Sequence, residues 1–135
     1  FSFGGVSTAR EVVSSARILE AVFPELASKT ALKEIELYSQ DGFAHKFSNT
    51  DELIEKIPIY FSKTGYTDNA GGTLIVKTKV KERFIYIVVL GSTKDGRFSD
   101  VEKLYNNSSV LFEDLENRGV SLEELKEHYL IGYGY

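Results

Sequence analysis

The spacing of apolar residues predicts an amphipathic helix close to the start of the chain. Thr8 and Glu11 have the spacing of a helix capping box, in which each side chain bonds the backbone N–H of the other residue. Apolar residues then recur on one helical face, and Pro24 should end or kink the helix because it lacks the N–H that continues the turn. The residues on this face are Val12, Ala16, Leu19 and Phe23.

The middle of the chain has the period-two alternation of β-strands. Alternation over residues 32–47, with a turn at Asp41-Gly42, predicts a β-hairpin. Residues 73–80 and 84–90 form two stronger strand patterns, which are joined by the charged residues 79–83. Because residues 84–90 are continuously apolar and rich in β-branched side chains, we expect that strand to be buried on both faces.

Two further helices are predicted on either side of these strands. Residues 51–56 form a short helix that Pro58 ends. A longer helix begins at Ser99, keeps its apolar residues at helical spacing, and stops near Gly119. The mixture of helices and hairpin strands indicates the α+β class.

Length and composition indicate one globular domain. The chain has 135 residues, of which 42% are hydrophobic and 27% charged, enough for one core. We therefore predict a single partial domain over residues 1–135, in which residues 119–135 are a C-terminal helix, capped near Ser121, and a loose tail. The chain contains no methionine and opens with residues typical of mid-chain sequence, so we expect it to be a segment of a longer protein.

Charge and residue types disfavour several kinds of partner and cofactor. The net charge of −4 and the lack of a dense basic stretch argue against nucleic acid. Without cysteine there is neither a disulfide nor a thiolate metal site, and His45 and His128 are too far apart in sequence to suggest zinc. No run has the length of a membrane span and no signal peptide is visible. We expect no metal and no cofactor.

The strongest chemical signal is the run Lys63-Thr64-Gly65-Tyr66. On a strand that faces a cleft, Lys63 supplies a positive field for an anionic group and Thr64 adds a hydroxyl donor. Gly65 lets a substrate backbone lie against the strand, and the N–H of Tyr66 points where an acyl oxygen would bind, as half of an oxyanion hole. The alternative is that the tripeptide Lys-Thr-Gly is an ordinary turn.

The longer run, residues 63–72, resembles the third active-site motif of the penicillin-binding D-alanyl-D-alanine carboxypeptidases, which are serine peptidases of the β-lactamase-like superfamily. Further segments resemble this family in the same order, so that the resemblance covers about residues 6–105. They are residues 6–19, Phe47-Ser48-Asn49-Thr50, residues 87–92 and Arg97-Phe98-Ser99-Asp100. The resemblance implies an antiparallel β-sheet flanked by helices, as the C-terminal half of the catalytic domain.

The resemblance also implies a function. A serine in a Ser-x-x-Lys motif attacks the terminal D-Ala–D-Ala bond of a peptidoglycan stem peptide outside the cytoplasm, and β-lactams bind at the same place. Lys63 and Thr64 take the catalytic and carboxylate-binding roles, and Gly65 and Tyr66 bind substrate. No serine of this chain has lysine three positions later or asparagine two positions later. The nucleophile is therefore expected in the N-terminal half of the same domain, and this chain alone is expected to be inactive.

Two departures from the family pattern leave a second hypothesis open. Tyr60-Phe61-Ser62 is bulkier than the glycine that often precedes Lys-Thr-Gly, and Asp51 stands where a second asparagine is common. The alternative function is a non-catalytic module that kept the fold and binds a peptide, a glycan or a protein. A Ser-x-x-Lys motif in the preceding sequence would favour the enzyme.

Overall fold

A computed structural model describes residues 5–120, and its two N-terminal helices precede all of its strands. The elements in chain order are α1 (Ala9–Val22), α2 (Pro24–Lys29), β1 (Glu34–Tyr38), β2 (Ala44–Ser48), β3 (Ile59–Thr67), β4 (Gly71–Val80), β5 (Arg83–Ser92) and α3 (Gly96–Asn117). The predicted helix at Ser121, the tail and His128 lie outside the described residues. No helix within residues 5–120 combines the length and the apolar character that crossing a membrane requires.

An antiparallel sheet in the order β3-β4-β5 lies between two layers of helix. One apolar cluster joins Ala16 of α1 and Ala27 of α2 to Phe61 and Ile75 of the sheet. A larger cluster on the opposite face joins the sheet to α3 and to the turn that precedes β3. Its buried members are Leu53, Ile57, Leu74, Val76, Ile87, Phe98 and Val101. The predicted α+β class, an antiparallel sheet flanked by helices, is confirmed.

The strand predicted to be fully buried is the wrong one. Within residues 84–90 only Ile87 is buried, whereas Phe84 and Leu90 keep 55% and 42% of their surface exposed. The buried strand is β4, because it has a hydrogen-bonded neighbour on both sides and helices over both faces. The apolar run at 84–90 belongs to an edge strand, which the helices cover only in part.

The predicted hairpin is present, but the predicted helix at 51–56 is not. β1 and β2 pair antiparallel around Gly42, whose φ of 86° is in the left-handed region that favours glycine, as the turn prediction required. Residues 52–56 form successive turns instead of a helix. Asp51 Oδ1 accepts a hydrogen bond from the N–H of Leu53, a local bond that competes with helical pairing. Leu53 itself is fully buried.

The start of α1 follows its predicted capping box, whereas α2 and α3 begin without a side-chain cap. The capping box of α1 is present, with bonds of 2.7 Å from Thr8 N to Glu11 Oε2 and 3.3 Å from Glu11 N to Thr8 Oγ1. Pro24 ends α1 and starts α2 at its first position, and Phe23 between them is exposed, contrary to the predicted apolar face. α3 begins at Gly96, before the predicted Ser99.

Candidate active site

The run Lys63-Thr64-Gly65-Tyr66 lies in the second half of β3, an edge strand of the sheet. It pairs with residues 72–75 of β4, so only one side of the strand is occupied by the sheet. The structure thus places the four predicted site residues on a strand instead of in an isolated turn.

The direction of the backbone amides along this edge is fixed by Ser62. Its N–H donates a hydrogen bond of 3.1 Å to Thr30 Oγ1, so it points away from β4. Amide directions alternate along an antiparallel strand, and the pairing of residues 61–67 with β4 is regular. The N–H groups of Thr64 and Tyr66 therefore also point to the open edge, where an extended ligand would meet them.

Lys63 and Thr64 both border a cavity of about 840 Å³, which lies between the three strands of the sheet and the start of α1. Because neighbouring side chains of a strand point to opposite faces, the two residues approach the cavity from different sides of β3. Lys63 is exposed, and its Nζ donates to the carbonyl oxygen of Thr64. The hydroxyl of Thr64 lies 2.6 Å from that of Thr50. The apolar lining includes Val12, Leu74, Ile75, Val88 and Leu90. A cation and a hydroxyl at the mouth of an apolar cleft suit a ligand that has an anionic end.

Gly65 has a structural reason to be glycine that the sequence did not reveal. A Cβ at this position would lie 2.5 Å from Thr73 Oγ1 on the neighbouring strand. Gly71 has a φ of 69°, and a Cβ there would lie 2.7 Å from the carbonyl oxygen of Ser92. Glycine at 65 and 71 thus allows β3, β4 and the end of β5 to approach closely next to the site.

Arg97 is a site residue that the sequence analysis did not single out. Its side chain is buried, and Nη1 donates a hydrogen bond of 3.2 Å to the carbonyl oxygen of Gly65. Among the described residues, Nε is buried without a hydrogen-bond partner. Arg97 is in the first turn of α3, where the helix dipole disfavours a cation. Because the predicted helix began only at Ser99, the sequence offered no signal that Arg97 has a partner elsewhere in the fold.

A buried polar network lies on the face of β3 opposite to Lys63. The hydroxyl of Ser62 donates a bond of 2.5 Å to Asp51 Oδ2. Asn49 anchors the same loop, since its Nδ2 donates to the carbonyl oxygens of Thr30 and Leu32 at 2.7 and 2.9 Å. Ser62, although next to Lys63 in sequence, is thus committed to Asp51 and is only 4% exposed. It is therefore not oriented as a nucleophile toward the cavity.

The side chain of Tyr66 lies at the exposed surface where β3 ends. Its hydroxyl donates a bond of 3.2 Å to Asp68 Oδ1, and this bond raises the pKa of the phenol. The ammonium of Lys94 lies 5.9 Å from the centre of the ring. No group of three His, Cys, Asp or Glu side chains within residues 5–120 is arranged to hold a metal ion.

Comparison with known proteins gives one family and a consistent set of structures. The sequence model of the family described as D-alanyl-D-alanine carboxypeptidase matches residues 4–94. Penicillin-Binding Protein D2 from Listeria monocytogenes, in its cefotaxime-bound form, superposes with a TM-score of 0.63 and 26% identity over 78% of this chain. Its ampicillin-bound form gives the same three values. The D-alanyl-D-alanine carboxypeptidase from Mycobacterium tuberculosis H37Rv gives 0.59 and 27% over 76%.

This chain spans less than half of each of those structures. The covered shares are 43% and 44% of the two Listeria chains and 40% of the Mycobacterium chain. No curated protein sequence matches the chain.

Proposed function

The chain belongs to the D-alanyl-D-alanine carboxypeptidase family, and from that membership we propose that it forms the substrate-binding half of a serine-type D-Ala-D-Ala carboxypeptidase. The observation that carries the proposal is the edge strand β3. It carries the ammonium of Lys63, the hydroxyl of Thr64 and the N–H of Tyr66 on nearly consecutive residues, of which Lys63 and Thr64 border the cavity and Tyr66 follows at the open edge.

Each of these groups has a role toward a peptide that ends in D-Ala-D-Ala. Lys63 and Thr64 bind the terminal carboxylate, because a cation and a hydroxyl donor are the partners a carboxylate takes. The N–H of Tyr66 donates to the carbonyl oxygen of the scissile bond, on which negative charge develops in the transition state. Gly65 lets the peptide lie along the strand, and Arg97 holds the Gly65 carbonyl at 3.2 Å and adds positive charge behind the strand.

The covalent step needs a nucleophile from the other half of the domain. There, a serine hydroxyl forms a bond to the carbonyl carbon of the penultimate D-Ala, and the C–N bond to the terminal D-Ala breaks. The hydroxyl proton passes to the departing amine, so free D-alanine and an acyl-enzyme result. Water then hydrolyses the ester. A β-lactam undergoes the first step at the amide bond of its ring, which the same serine opens. The Listeria protein to which this chain is similar is bound to cefotaxime and ampicillin.

The apolar surface around the cavity supports a second half as a partner. Leu90 at the edge strand β5 is 42% exposed, and Val12, Ile75 and Val88 line the cavity. The matched part of this chain covers only 43% and 40% of the similar structures, so each of them contains a further part that this chain lacks. We propose that the N-terminal half of the catalytic domain covers this surface and brings its serine to Lys63. The substrate, a peptidoglycan stem peptide, places the assembled enzyme outside the cytoplasm, in the periplasm or at the cell envelope.

Labelling with a fluorescent penicillin, with intact mass as the readout, tests the proposal. Residues 1–135 are compared with a longer polypeptide that also carries the nucleophile-bearing half. We expect a covalent adduct on the longer polypeptide and none on residues 1–135. No adduct on either would support the non-catalytic binding module. An adduct on residues 1–135 alone would reveal a nucleophile within this chain and overturn the assignment of its serines.

A further inference from the structure

The loop before β3 brings a second threonine to the hydroxyl of the binding strand. Thr50 Oγ1 lies 2.6 Å from Thr64 Oγ1, although the two residues are fourteen positions apart in sequence. Thr50 is exposed and Thr64 is partly buried at the border of the cavity. Thr64 is one of the groups that the proposed function assigns to the substrate, whereas Thr50 is not.

The backbone on both sides of Thr50 is anchored. Asn49 is held on the α2–β1 segment by its backbone N–H, which donates to the carbonyl oxygen of Lys33 at 2.8 Å, and by its side chain. Asn49 Oδ1 in turn accepts the N–H of Asp51 at 3.0 Å. Asp51 is fastened to β3 through its 2.5 Å bond from Ser62, two residues before Thr64. These bonds hold the loop against β3 and keep the hydroxyl of Thr50 next to that of Thr64.

The two hydroxyls share one hydrogen bond, and its direction decides what Thr64 can offer. A threonine hydroxyl has one hydrogen and two lone pairs. When Thr64 donates to Thr50, its hydrogen is unavailable to a ligand. When Thr50 donates, the hydrogen of Thr64 is free for an acceptor in the cavity. A carboxylate beside Lys63 favours the second arrangement, because a hydrogen bond to a charged acceptor is stronger and a donated bond polarises the next one in the chain.

We propose that Thr50 is a positioning residue that donates to Thr64 Oγ1 and so turns the Thr64 hydrogen toward the carboxylate of the bound ligand. This inference rests on the proposed function and extends it to a residue outside the Lys-Thr-Gly run. It makes Thr50 a determinant of selectivity for ligands that end in a carboxylate. Loss of the Thr50 hydroxyl should slow acylation by an anionic ligand specifically, by about five- to tenfold, which corresponds to the free energy of one hydrogen bond.

The test compares acylation of the assembled catalytic domain by benzylpenicillin and by its uncharged methyl ester. Thr50→Val should slow acylation by benzylpenicillin about five- to tenfold and leave the rate with the ester within about twofold. Thr50→Ser, which keeps the hydroxyl, should restore the ratio of the two rates. Thr78→Val is the matched control on β4, away from the cavity, and should leave the ratio unchanged even if it lowers stability. Thr50→Ala repeats the test if the valine variant folds poorly.

A double-mutant cycle gives a second, independent measurement. In a Thr64→Val background, Thr50→Val should cause no further loss, because its effect passes through the Thr64 hydroxyl. Equal losses with both ligands, an unchanged ratio, or full additivity with Thr64→Val would each overturn the role of Thr50. Failure of the wild-type domain to be acylated by benzylpenicillin would instead overturn the proposed function, so the two results are distinguishable.

Discussion

The hydroxyl of Ser62 donates a hydrogen bond of 2.5 Å to Asp51 Oδ2, and each of the two residues has only 4% of its surface exposed. These are two of the positions at which the sequence departs from the family pattern. Asp51 stands where a second asparagine is common, and Ser62 ends the run Tyr60-Phe61-Ser62, which is bulkier than the glycine that often lies shortly before Lys-Thr-Gly. Because a buried carboxylate needs donors, the second departure provides what the first requires.

Truncation of this pair should destabilise the fold. Asp51→Ala leaves the Ser62 hydroxyl and the Leu53 N–H without their acceptor, which should lower the free energy of unfolding by about 3 kcal/mol. Ser62→Ala removes one donor from a buried carboxylate and should cost about 2 kcal/mol. Urea denaturation of the variants measures both values. The exposed neighbour provides the control, since Glu52→Ala should change stability by less than about 0.5 kcal/mol.

The double variant shows whether the two departures are coupled. If they act as a pair, the loss in Asp51→Ala/Ser62→Ala should be smaller than the sum of the single losses by at least about 1 kcal/mol. Additive losses would mean that Asp51 and Ser62 stabilise the fold independently and that one does not compensate for the other.

Local features of the fold were predictable because they depend on residues close in sequence. The Thr8–Glu11 capping box, the break at Pro24 and the turn at Gly42 each follow from the preferences of a few neighbouring residues. The burial of β5 was not predictable in this way. An apolar run has the same appearance in a central strand and in an edge strand, and the strand order that distinguishes them is a long-range property.

The residues of the candidate site also fall into two groups, those that are neighbours in sequence and those that meet only in the fold. Lys63, Thr64, Gly65 and Tyr66 could be named from the sequence because they are contiguous. Arg97 meets Gly65 across thirty-two positions and Thr50 meets Thr64 across fourteen, so no local pattern joins them. Asp51 was visible in the sequence as one departure and Ser62 as part of another, and only the fold brings their side chains into contact.

Gly65→Ala tests whether this glycine serves the close packing of β3 on β4, clearance for the substrate, or both. The new Cβ would meet Thr73 Oγ1 at 2.5 Å, so we expect a loss of about 1–3 kcal/mol in unfolding free energy from overpacking. Gly65→Ala/Thr73→Ala removes the obstructing hydroxyl and should recover most of that loss in thermal denaturation. If Gly65 also provides clearance for the substrate, the repaired double variant should still be acylated by penicillin at least tenfold more slowly than Thr73→Ala alone. Recovery of both properties would leave only the structural role.

Arg97→Met should slow acylation by penicillin more than it lowers stability. Loss of the hydrogen bond to the Gly65 carbonyl oxygen should lower the free energy of unfolding. Removal of a buried cation, whose Nε has no partner among the described residues, should raise it. The two effects should cancel to within about 1 kcal/mol. Acylation of the assembled domain by penicillin should fall about tenfold, because the strand loses a fixed carbonyl and a nearby positive charge. Arg97→Lys, which keeps the charge without the planar fork, should be intermediate. Parallel losses of stability and acylation would assign Arg97 to folding alone.

The hydroxyl of Tyr86 should make the stability of the chain depend on alkaline pH. The phenol donates to a carboxylate oxygen of Glu20, whose other oxygen accepts a bond of 2.8 Å from Lys77 Nζ, so the three residues join α1 to the sheet. Burial, then the hydrogen bond to Glu20 and its negative charge, raise the pKa of Tyr86 to about 12. In the unfolded chain a tyrosine titrates near 10.

The sign of the effect follows from which state keeps the proton. Between about pH 10 and pH 12 the unfolded chain loses a proton that the folded chain retains, so the free energy of unfolding falls as pH rises through this window. Below about pH 9 both states are protonated and this contribution is constant.

Urea unfolding across the window should show the decline, and Tyr86→Phe should make it shallower while costing about 1 kcal/mol at neutral pH through the lost hydrogen bond. Glu20→Gln should lower the pKa of the phenol toward its ordinary value, which titration of the tyrosinate absorbance measures. An equally steep decline in Tyr86→Phe would show that other groups control the alkaline transition.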